Sequence, residues 1–460
     1  MALGNVAHRA PNGPERRVGC APKATSQGCA RARRLLVRLG LCRPGVHSRG
    51  GAPGPIGLIF GRALWGHAVT DTICAAAARA PAGAPPVPGG SRRILVTGAG
   101  GLIGRELVGA LAARGHGVVA LLHRSTALRR NDGSPIRSAS WDGAPPVPGA
   151  VATLSGDVRR PGLGLEAGCQ AALAGSMDLV VHCAAVTGFN LDLEAYRAVN
   201  VEGTANVLDF AGRSAPSALP VLYVSTAYVC GERSGPIAEG ELDAGQGFAN
   251  GYEASKAEAE RLVGEAGRRG RVVAVARPSI VVGASDSGMI GDFSNIYALI
   301  RLVAEGRIRV LPTRPGASLD LVPIDHVIGG LIDLAERIEA AAGRTYHLVS
   351  GAPVPVAGLR GLALAYPQLH APRFVPPEAF DPTGLSPLEQ LLNLQVTALY
   401  AGYLQRNPCF LDDNLRALSG RACPRTDEAF LRRMLDHCLA TGFVKPRVLR
   451  PEAARQRTSG

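Results

Sequence analysis

The chain lacks the features that mark several classes of protein. None of its 10 cysteines belongs to a Cys-x-x-Cys pair, which argues against a zinc ribbon or a redox dithiol and favours buried, reduced thiols. Cys409, Cys423 and Cys438 recur at similar intervals near His437, but structural metal sites usually take their ligands from closely spaced pairs, so we expect no metal. No apolar run reaches the roughly eighteen residues that a membrane-spanning helix requires.

Acidic residues are nearly absent from the first ninety positions. Residues 1–90 hold 12 Lys and Arg against two acids, Glu15 and Asp71, whereas the remainder has 38 basic and 35 acidic residues. Most of the net charge of +13 therefore belongs to this leader. The rest of the chain is close to neutral and has no basic groove interleaved with aromatic residues, so nucleic-acid binding is excluded as the main function.

Residues 1–90 are predicted to be a disordered, basic, Pro/Gly-rich leader. They show no hydrophobic periodicity and end in a Pro/Gly run over 80–90, which is typical of a linker. Many Arg and few acids are also the composition of an organelle transit peptide, but Pro and Gly recur too often for a long amphipathic helix. We therefore expect a cytoplasmic protein with a disordered extension, or upstream sequence translated from too early a start codon. Organelle targeting is the alternative.

Beyond the leader, short β-branched runs alternate with segments of helical spacing. One such segment carries Leu102, Leu107 and Leu111. The apolar runs stand at 93–97, 117–123, 151–154, 178–182, 219–225 and 271–277. Strands that are apolar on both faces and separated by helices indicate a parallel sheet covered on both sides. The expected fold class is α/β, with a doubly wound parallel Rossmann sheet.

The predicted organisation has three parts. The leader is followed by a Rossmann domain over 91–351, which includes a small substrate-covering segment. Residues 352–460 are predicted to form a mostly helical C-terminal extension, because 387–402 and 426–441 show helical spacing on either side of a polar stretch that contains Pro408.

A glycine-rich loop follows the first predicted strand and opens the first helix. In the motif TGAGGLIG at 97–104, Gly98 allows the tight turn, Gly101 lets a pyrophosphate approach the backbone, and Gly104 lets the helix pack closely on the strand. The phosphates would meet free N–H groups at the positive end of the helix. The residues expected at the cofactor are Gly98, Gly101, Leu102, Ile103 and Gly104.

Further cofactor contacts are predicted at the ends of later strands. After the second strand the chain offers Arg124 instead of an acid for the ribose, which favours NADP(H) over NAD(H) because an Arg can pair with a 2′-phosphate. Asp157 is placed to accept from the adenine amino group. The alternatives are a surface Arg and a simple turn Asp. The remaining expected contacts are Val158, Ala184, Ala185, Pro278 and Ile280.

The strongest catalytic signal is the motif YEASK at 252–256. Tyr252 and Lys256 stand four residues apart, so on a helix they share one face and can reach one nicotinamide ribose. Lys256 is expected to favour the phenolate and to lower the pKa of Tyr252, which would then exchange a proton near neutral pH. A Tyr-x-x-x-Lys motif is common by chance, and the alternative interpretation is an exposed helix without a catalytic role. Here it follows Thr226, at the end of the fifth predicted strand, by twenty-six residues, and the combination is much more specific.

Two further positions complete the predicted catalytic set. Thr226 can hydrogen-bond the substrate oxygen, but Ser225 is a rival for this role. Since neighbours on a strand point to opposite faces, we expect only one of the two to face the nicotinamide. Asn200 is expected to support Lys256 through a backbone or water contact, or else to be a packing residue of a helix.

Several segments resemble one known family. Residues 178–210, 223–231, 277–283 and 320–327 are similar to fatty acyl-CoA reductases and to the thioester reductase domains of carboxylic acid reductases and peptide synthetases. These belong to the extended short-chain dehydrogenases/reductases, and the resemblance covers about residues 91–350. It implies Thr226, Tyr252 and Lys256 as the catalytic set and the glycine loop with Arg124 as the NADPH site. The loop departs from the family in carrying Gly100 where Thr is frequent.

The resemblance implies an enzyme of lipid metabolism that reduces an acyl thioester, on CoA or on a carrier protein, to an aldehyde, and with a second hydride to an alcohol. Two alternatives stay open. Another extended-family enzyme, such as a hydroxysteroid-type dehydrogenase or a sugar-nucleotide epimerase, would use the same residues. A catalytically silent NADP-binding sensor would have no need of the Tyr/Lys pair.

Overall fold

The computed structural model describes residues 90–125, 127–188, 191–214 and 217–447. The predicted leader lies outside the described residues except for Gly90, and so does the end of the predicted extension, 448–460.

The strands of the described residues are numbered in chain order. They are β1 (Arg93–Thr97), β2 (Gly117–Leu122), β3 (Ala139–Ser140), β4 (Val151–Ser155), β5 (Leu179–His182), β6 (Val221–Val224), β7 (Gly235–Ile237), β8 (Val273–Pro278), β9 (Ile280–Val282), β10 (Val310–Pro312), β11 (Ser318–Leu319), β12 (Leu321–Pro323), β13 (Thr345–Leu348), β14 (Val354–Pro355), β15 (Arg373–Val375) and β16 (Pro408–Phe410).

The α-helices of the same residues are numbered likewise. They are α1 (Leu102–Ala113), α2 (Ala167–Ser176), α3 (Leu193–Tyr196), α4 (Glu202–Gly212), α5 (Gly251–Arg268), α6 (Ile296–Ala304), α7 (Ile324–Glu336), α8 (Ile338–Ala341), α9 (Val356–Leu364), α10 (Pro387–Leu392), α11 (Ala398–Tyr400), α12 (Asp413–Ser419) and α13 (Glu428–Ala440). Short π-helical segments lie at Arg197–Val201 and Asn393–Thr397, and 3-10 helices at Pro161–Gly164, Ala227–Cys230, Pro377–Ala379 and Pro382–Gly384.

Eight of these strands form one sheet in the order β13-β8-β6-β5-β1-β2-β4-β3. Every neighbouring pair in it is parallel; Thr97, for example, pairs with Leu121 on one side and with His182 on the other. The predicted parallel sheet is confirmed, and all six predicted runs contain a strand of it.

Helices cover both faces of this sheet. In β1 the side chains alternate: Ile94 and Val96 pack into a core with α1 and α7, whereas Leu95 packs into a second core with α2, α4 and α5. All five residues of β1 are buried, as a strand apolar on both faces requires. The arrangement is therefore doubly wound, as the alternation of strands and helices predicts.

The C-terminal segment pairs with earlier parts of the chain through short strands. β14 pairs with β11, β15 with β10, and β16 with β7. Both predicted helices of this segment are present, at Pro387–Tyr400 with a π-helical middle and at Glu428–Ala440. The stretch around Pro408, read from sequence as a polar connection, is instead a strand in which Pro408 and Phe410 are buried.

Within the described ranges, no helix combines the length and the hydropathy needed to cross a bilayer. The same residues contain no cluster of three or more His, Cys, Asp or Glu side chains that could hold a metal ion.

Candidate active site

A cleft of about 300 Å³ lies at the carboxyl ends of the central strands. Because all strands of the large sheet are parallel, the loops after β1, β5, β6 and β8 meet at one edge. The chain also changes winding direction at β1, which lies between β5 and β2; ligands of open α/β sheets bind at such a point. The lining residues on these loops and on α5 are Gly98, Gly101, Leu102, Ile103, Gly104, Cys183, Ala185, Thr187, Ser225, Thr226, Tyr228, Tyr252, Pro278, Ser279, Ile280 and Val281.

Two glycines of the loop are required by the fold itself. Gly98 has a φ of +67°, and a Cβ on it would lie 2.5 Å from the backbone nitrogen of Ala184. A Cβ on Gly104 would collide with the carbonyl oxygen of Gly98. Gly101 differs, because a Cβ added to it would lie 3.3 Å from its nearest neighbour, the carbonyl oxygen of Gly98. Gly101 lines the cleft. A side chain at Gly101 would therefore occupy space in the cleft more than it would disturb the fold.

The first turn of α1 presents free backbone donors to this cleft. Gly101 is the N-cap of α1 and has no side chain to occupy the N–H groups that follow it. Leu102 and Ile103 line the cleft, and the first turn of α1 contains no acidic residue. The positive end of the helix dipole therefore faces the cleft, an arrangement that suits a diphosphate.

Arg124 is exposed and follows the end of β2. It does not line the cleft itself. The loop that carries it borders the glycine loop, since a Cβ on Gly100 would lie 3.6 Å from the Cβ of Ser125. Arg124 is thus on the side of the cleft where the chain beyond β2 could meet the adenosine end of a dinucleotide.

Asp157 follows β4 and is also outside the cleft lining. Its carboxylate accepts from the Arg159 side chain at 2.6 Å and lies 3.5 Å from Nε2 of His123. Burial acts to raise the pKa of Asp157, but the hydrogen bonds from Arg159 outweigh it and hold the pKa below its ordinary value. Val158 is buried, and a Cβ on Gly203 would lie 3.1 Å from it.

Of the four remaining predicted cofactor residues, three line the cleft and one lies behind its lining. Ala185, Pro278 and Ile280 line the cleft. Ala184 lies beneath Gly98, whose positive φ brings the two backbones together.

Tyr252 and Thr226 meet in the cleft. Asn250 caps α5 by accepting from the N–H of Glu253 at 2.9 Å, which places Tyr252 in the first turn of the helix. Thr226 ends the extended segment after β6, and its hydroxyl accepts from the N–H of Tyr228 at 3.3 Å. A hydrogen bond joins the Thr226 hydroxyl to the Tyr252 phenol.

Lys256 lies behind the cleft surface. It is only 1% exposed, its ammonium donates to the Val224 carbonyl at 2.8 Å, and Nζ lies 4.2 Å from the centre of the Tyr223 ring. Burial lowers the pKa of Lys256 to about 7, against the opposing effect of Glu260.

The expected lowering of the pKa of Tyr252 is wrong for this structure. Burial raises that pKa above its ordinary value, and the Glu253 carboxylate adds to the rise. The group that acts to lower it is the Thr226 hydroxyl, which hydrogen-bonds the phenol. The physical reason is that burial outweighs the other effects on Tyr252, while Lys256 directs its ammonium at the Val224 carbonyl.

Ser225 and Thr226 both line the cleft. Strand alternation predicts that only one of the two faces the nicotinamide, and this stays a prediction. The ladder continues one residue beyond β6, because the N–H of Ser225 donates to the Ala276 carbonyl at 2.7 Å.

Asn200 holds two parts of the site together. It is fully buried in the π-helical segment between α3 and α4. Its side chain accepts from the N–H of Val186 at 2.9 Å and donates to Ser255 at 2.9 Å, and Ser255 donates to the carbonyl of Tyr252 at 2.9 Å. Asn200 therefore connects the loop after β5 to the helix that carries Tyr252 and makes no hydrogen bond to Lys256.

Sequence reasoning missed a buried group contributed by the C-terminal segment. The guanidinium of Arg406 donates to Glu253 at 2.6 Å, and its centre lies 4.8 Å and 4.5 Å from the rings of Tyr228 and Tyr403. Both tyrosines line the cleft. Glu253 directly follows Tyr252, so Arg406 neutralises a carboxylate next to the predicted proton donor.

Asn295, which also lines the cleft, has a φ of +52°. Such a conformation is costly for a residue with a side chain and is kept where the surroundings enforce it. Here the Tyr400 hydroxyl donates to the Asn295 carbonyl at 2.6 Å. No sequence signal indicates this contact, because the two residues belong to distant segments.

Comparison with known proteins agrees with this geometry. A family model described as "Male sterility protein" matches residues 96–331, just over half of the chain. The terminal R domain from the myxalamid PKS-NRPS biosynthetic pathway is similar in structure, with a TM-score of 0.67 and 27% identity over 83% of this chain and 100% of that one. A thiolation-reductase di-domain from an archaeal nonribosomal peptide synthetase has a TM-score of 0.58 at 17% identity over 76% of each chain, which shows the fold alone.

Two curated relatives are named as reductases. A glycine betaine reductase of Emericella nidulans is 34% identical over 213 residues, which are 45% of this chain and 16% of that protein. A 2-alkyl-3-oxoalkanoate reductase of Stenotrophomonas maltophilia is 29% identical over 59% of this chain and 75% of its own length. The chain thus spans less than a fifth of the first of these proteins. The chain belongs to the male sterility-type NAD-binding family of the extended short-chain dehydrogenases/reductases.

Proposed function

We propose that the protein reduces an acyl thioester with NADPH and releases an aldehyde, as the resemblance implies. The observation that carries the proposal is the convergence of the glycine loop, Thr226 and Tyr252 on one cleft. The similarity to a terminal R domain of a PKS-NRPS pathway over its full length supports a carrier-bound or CoA-bound thioester as the substrate.

Thr226 and Tyr252 act on the substrate oxygen in different ways. A bound nicotinamide supplies the hydride that adds to the carbonyl carbon. Thr226 donates a hydrogen bond to the oxygen as negative charge develops on it, and Tyr252 gives that oxygen a proton. Burial raises the pKa of Tyr252, which makes the phenol a weaker acid, and the hydrogen bond from Thr226 opposes this rise and so assists the transfer. The resulting hemithioacetal loses its C–S bond, and the products are aldehyde and thiol.

We also propose how the chain holds NADPH. Gly101 and the first turn of α1 would hold the diphosphate, and Arg124 would pair with the 2′-phosphate. Asp157 and Val158 would contact the adenine, Ala184 and Ala185 the ribose, and Pro278 and Ile280 the nicotinamide. The side chain of Lys256 supports the second ribose from behind, and Asn200 positions Tyr252.

The test is NADPH consumption with a panel of acyl-CoA esters, acyl pantetheine thioesters and free aldehydes. Thioester reduction with release of thiol is the expected result, and the Thr226→Val variant should lose it. Turnover of aldehydes but of no thioester would overturn the thioester assignment and leave a carbonyl reductase.

A second candidate is reduction of a ketone. It is favoured by the 2-alkyl-3-oxoalkanoate reductase, which this chain matches over 75% of that protein's length, whereas the match to the betaine reductase covers 16% of that protein. The same panel, extended with 3-oxo acids, separates the two candidates because only a thioester releases a thiol.

A further inference from the structure

Tyr228 carries a buried hydroxyl that no other group of the described residues satisfies. The side chain lies in the 3-10 helix that follows β6, is 3% exposed and lines the cleft. Its phenol oxygen has no hydrogen-bond partner within 90–125, 127–188, 191–214 and 217–447. Buried polar groups are nearly always hydrogen-bonded, because leaving one unpaired opposes folding. An unpaired hydroxyl in the wall of a cleft therefore indicates a partner that enters with a ligand.

The ring of Tyr228 is held in one place, so its hydroxyl cannot turn away to another partner. The rings of Tyr403 and Phe410 pack edge-on against it, with centres at 4.8 Å and 5.5 Å. The Arg406 guanidinium lies over it, 4.8 Å from the ring centre. All three contacts come from the C-terminal segment. Burial raises the pKa of Tyr228 above its ordinary value, so the hydroxyl keeps its proton at neutral pH and can donate a hydrogen bond.

The two tyrosines that the C-terminal segment adds to the cleft differ from Tyr228 in this respect. The Tyr400 hydroxyl donates to the Asn295 carbonyl at 2.6 Å. The Tyr403 hydroxyl accepts from the Asn250 side chain at 3.4 Å. Both hydroxyls are thus engaged within the protein, whereas that of Tyr228 is available to a ligand in the cleft.

Tyr228 lies close to the predicted reaction centre. It follows Thr226 by two residues, so the two Cα atoms are at most about 7.6 Å apart. The Thr226 hydroxyl accepts from the N–H of Tyr228 at 3.3 Å and hydrogen-bonds the Tyr252 phenol. A substrate whose carbonyl oxygen lies at Thr226 and Tyr252 would therefore reach the Tyr228 hydroxyl with an atom only a few bonds from the carbonyl carbon.

We propose that Tyr228 is a specificity-determining residue that donates a hydrogen bond to an oxygen on the third carbon of the acyl group. The inference rests on the proposed function and names its substrate class as 3-hydroxyacyl and 3-oxoacyl thioesters. An oxygen at that position is three bonds from the carbonyl carbon, in keeping with the short separation of Thr226 and Tyr228. An acyl group without it would cover the hydroxyl and leave it unpaired, which opposes binding.

The experiment compares kcat/KM for 3-hydroxybutyryl-CoA and butyryl-CoA in the full-length wild type and in Tyr228→Phe. The two substrates differ by one oxygen and share the same thiol. The wild type should prefer the hydroxylated substrate about tenfold or more, because a site that hydrogen-bonds a substrate hydroxyl rejects the analogue that lacks it. Tyr228→Phe should reduce this preference to about twofold or less. A wild type without the preference, or a variant that keeps it, would overturn the proposal.

Tyr403→Phe is the matched control. It removes a hydroxyl from the same cleft, but one that already bonds Asn250, so the ratio of the two kcat/KM values should be kept. Loss of the preference in both variants would overturn the assignment to Tyr228.

Other roles for the Tyr228 hydroxyl give different results. An equal loss for both CoA esters in Tyr228→Phe would assign the hydroxyl to the reacting carbonyl or to the thiol arm of the substrate. A higher KM for NADPH with an unchanged preference between the esters would assign it to the cofactor. Either result would overturn the proposal and leave the thioester reduction intact.

Stability and aldehyde reduction test the inference independently of thioester turnover. Because the hydroxyl has no partner among the described residues, Tyr228→Phe should keep or raise the melting temperature. A fall of more than about 4 °C would show that the hydroxyl is satisfied within the protein and would overturn the inference. If aldehydes are reduced and no thioester is, the thioester proposal fails, and the same comparison of butanal with 3-hydroxybutanal decides the role of Tyr228.

Discussion

Among single residues, Tyr252 has the most specific chemical task. Tyr252→Phe keeps the ring and removes the hydroxyl that Thr226 hydrogen-bonds, so turnover should fall about a hundredfold or more with NADPH binding nearly intact. Steady-state kinetics and a fluorescence titration with NADPH measure the two effects. Tyr366→Phe is the control, because its hydroxyl bonds Asp436 away from the cleft. Full activity in Tyr252→Phe would remove Tyr252 from the mechanism.

Arg124 should decide the cofactor preference. Arg124→Asp replaces a partner for the 2′-phosphate with an acceptor for the ribose hydroxyls, so the ratio of NADPH to NADH affinity should fall by about tenfold or more. KM for each cofactor measures the ratio. Arg129→Asp is the control, since Arg129 is exposed in the same loop and donates to Gly133. An unchanged ratio would show that Arg124 does not reach the phosphate.

Lys256 should make the stability of the protein depend on pH. Its pKa is about 7 in the folded state and 10.5 ordinarily, so between these values the unfolded chain binds more protons than the folded one. Stability should therefore rise with pH over this window, by up to about 1.4 kcal/mol per pH unit. Lys256→Met should remove this contribution, whereas the exposed Lys445→Met should keep it. Denaturant titrations at pH 7 and pH 9 give the change in unfolding free energy with pH. The same change in Lys256→Met as in Lys445→Met would contradict the prediction.

At the scale of elements, the buried pair of Arg406 and Glu253 joins the C-terminal segment to α5. The two side chains are 4% and 0% exposed, so Arg406→Met leaves an uncompensated buried carboxylate and should cost about 3 to 5 kcal/mol of unfolding free energy. The isolated charge should also raise the pKa of Tyr252 further and lower kcat more than KM.

The double variant Arg406→Met with Glu253→Gln tests this explanation. It should recover most of the lost unfolding free energy and part of kcat, because the buried charge is gone. Denaturant titrations and kcat measured across pH report both effects. A double variant no better than Arg406→Met would mean that Arg406 acts by filling space between Tyr228 and Tyr403 rather than by its charge.

At the scale of the whole molecule, residues 1–88 should be dispensable. Their sequence lacks hydrophobic periodicity and precedes a Pro/Gly run, whereas the first strand begins at Arg93. A chain starting at residue 89 should keep the melting temperature within about 2 °C and the wild-type kcat/KM. Loss of folding on truncation would show that the leader contributes to the core.

The sheet, the glycine loop and the predicted proton donor could be identified from sequence because they depend on local spacing. Buried parallel strands read as continuous apolar runs, as 93–97 does, and the glycines at 98 and 104 follow from backbone conformation and close packing. Thr226 follows the end of β6 and Tyr252 lies in the first turn of α5. Both places are at the carboxyl edge of the sheet, so the sequence could predict that the two side chains meet.

Contacts between distant segments were decided only by the tertiary structure. Arg406 bonds Glu253, the Lys256 ammonium donates to the Val224 carbonyl, and the Tyr400 hydroxyl donates to the Asn295 carbonyl. The share of the C-terminal segment in the cleft, through Tyr400 and Tyr403, likewise has no local signature. Burial and charge set pKa values and pockets through neighbours far apart in sequence, whereas residue spacing reports only the backbone that lies between them.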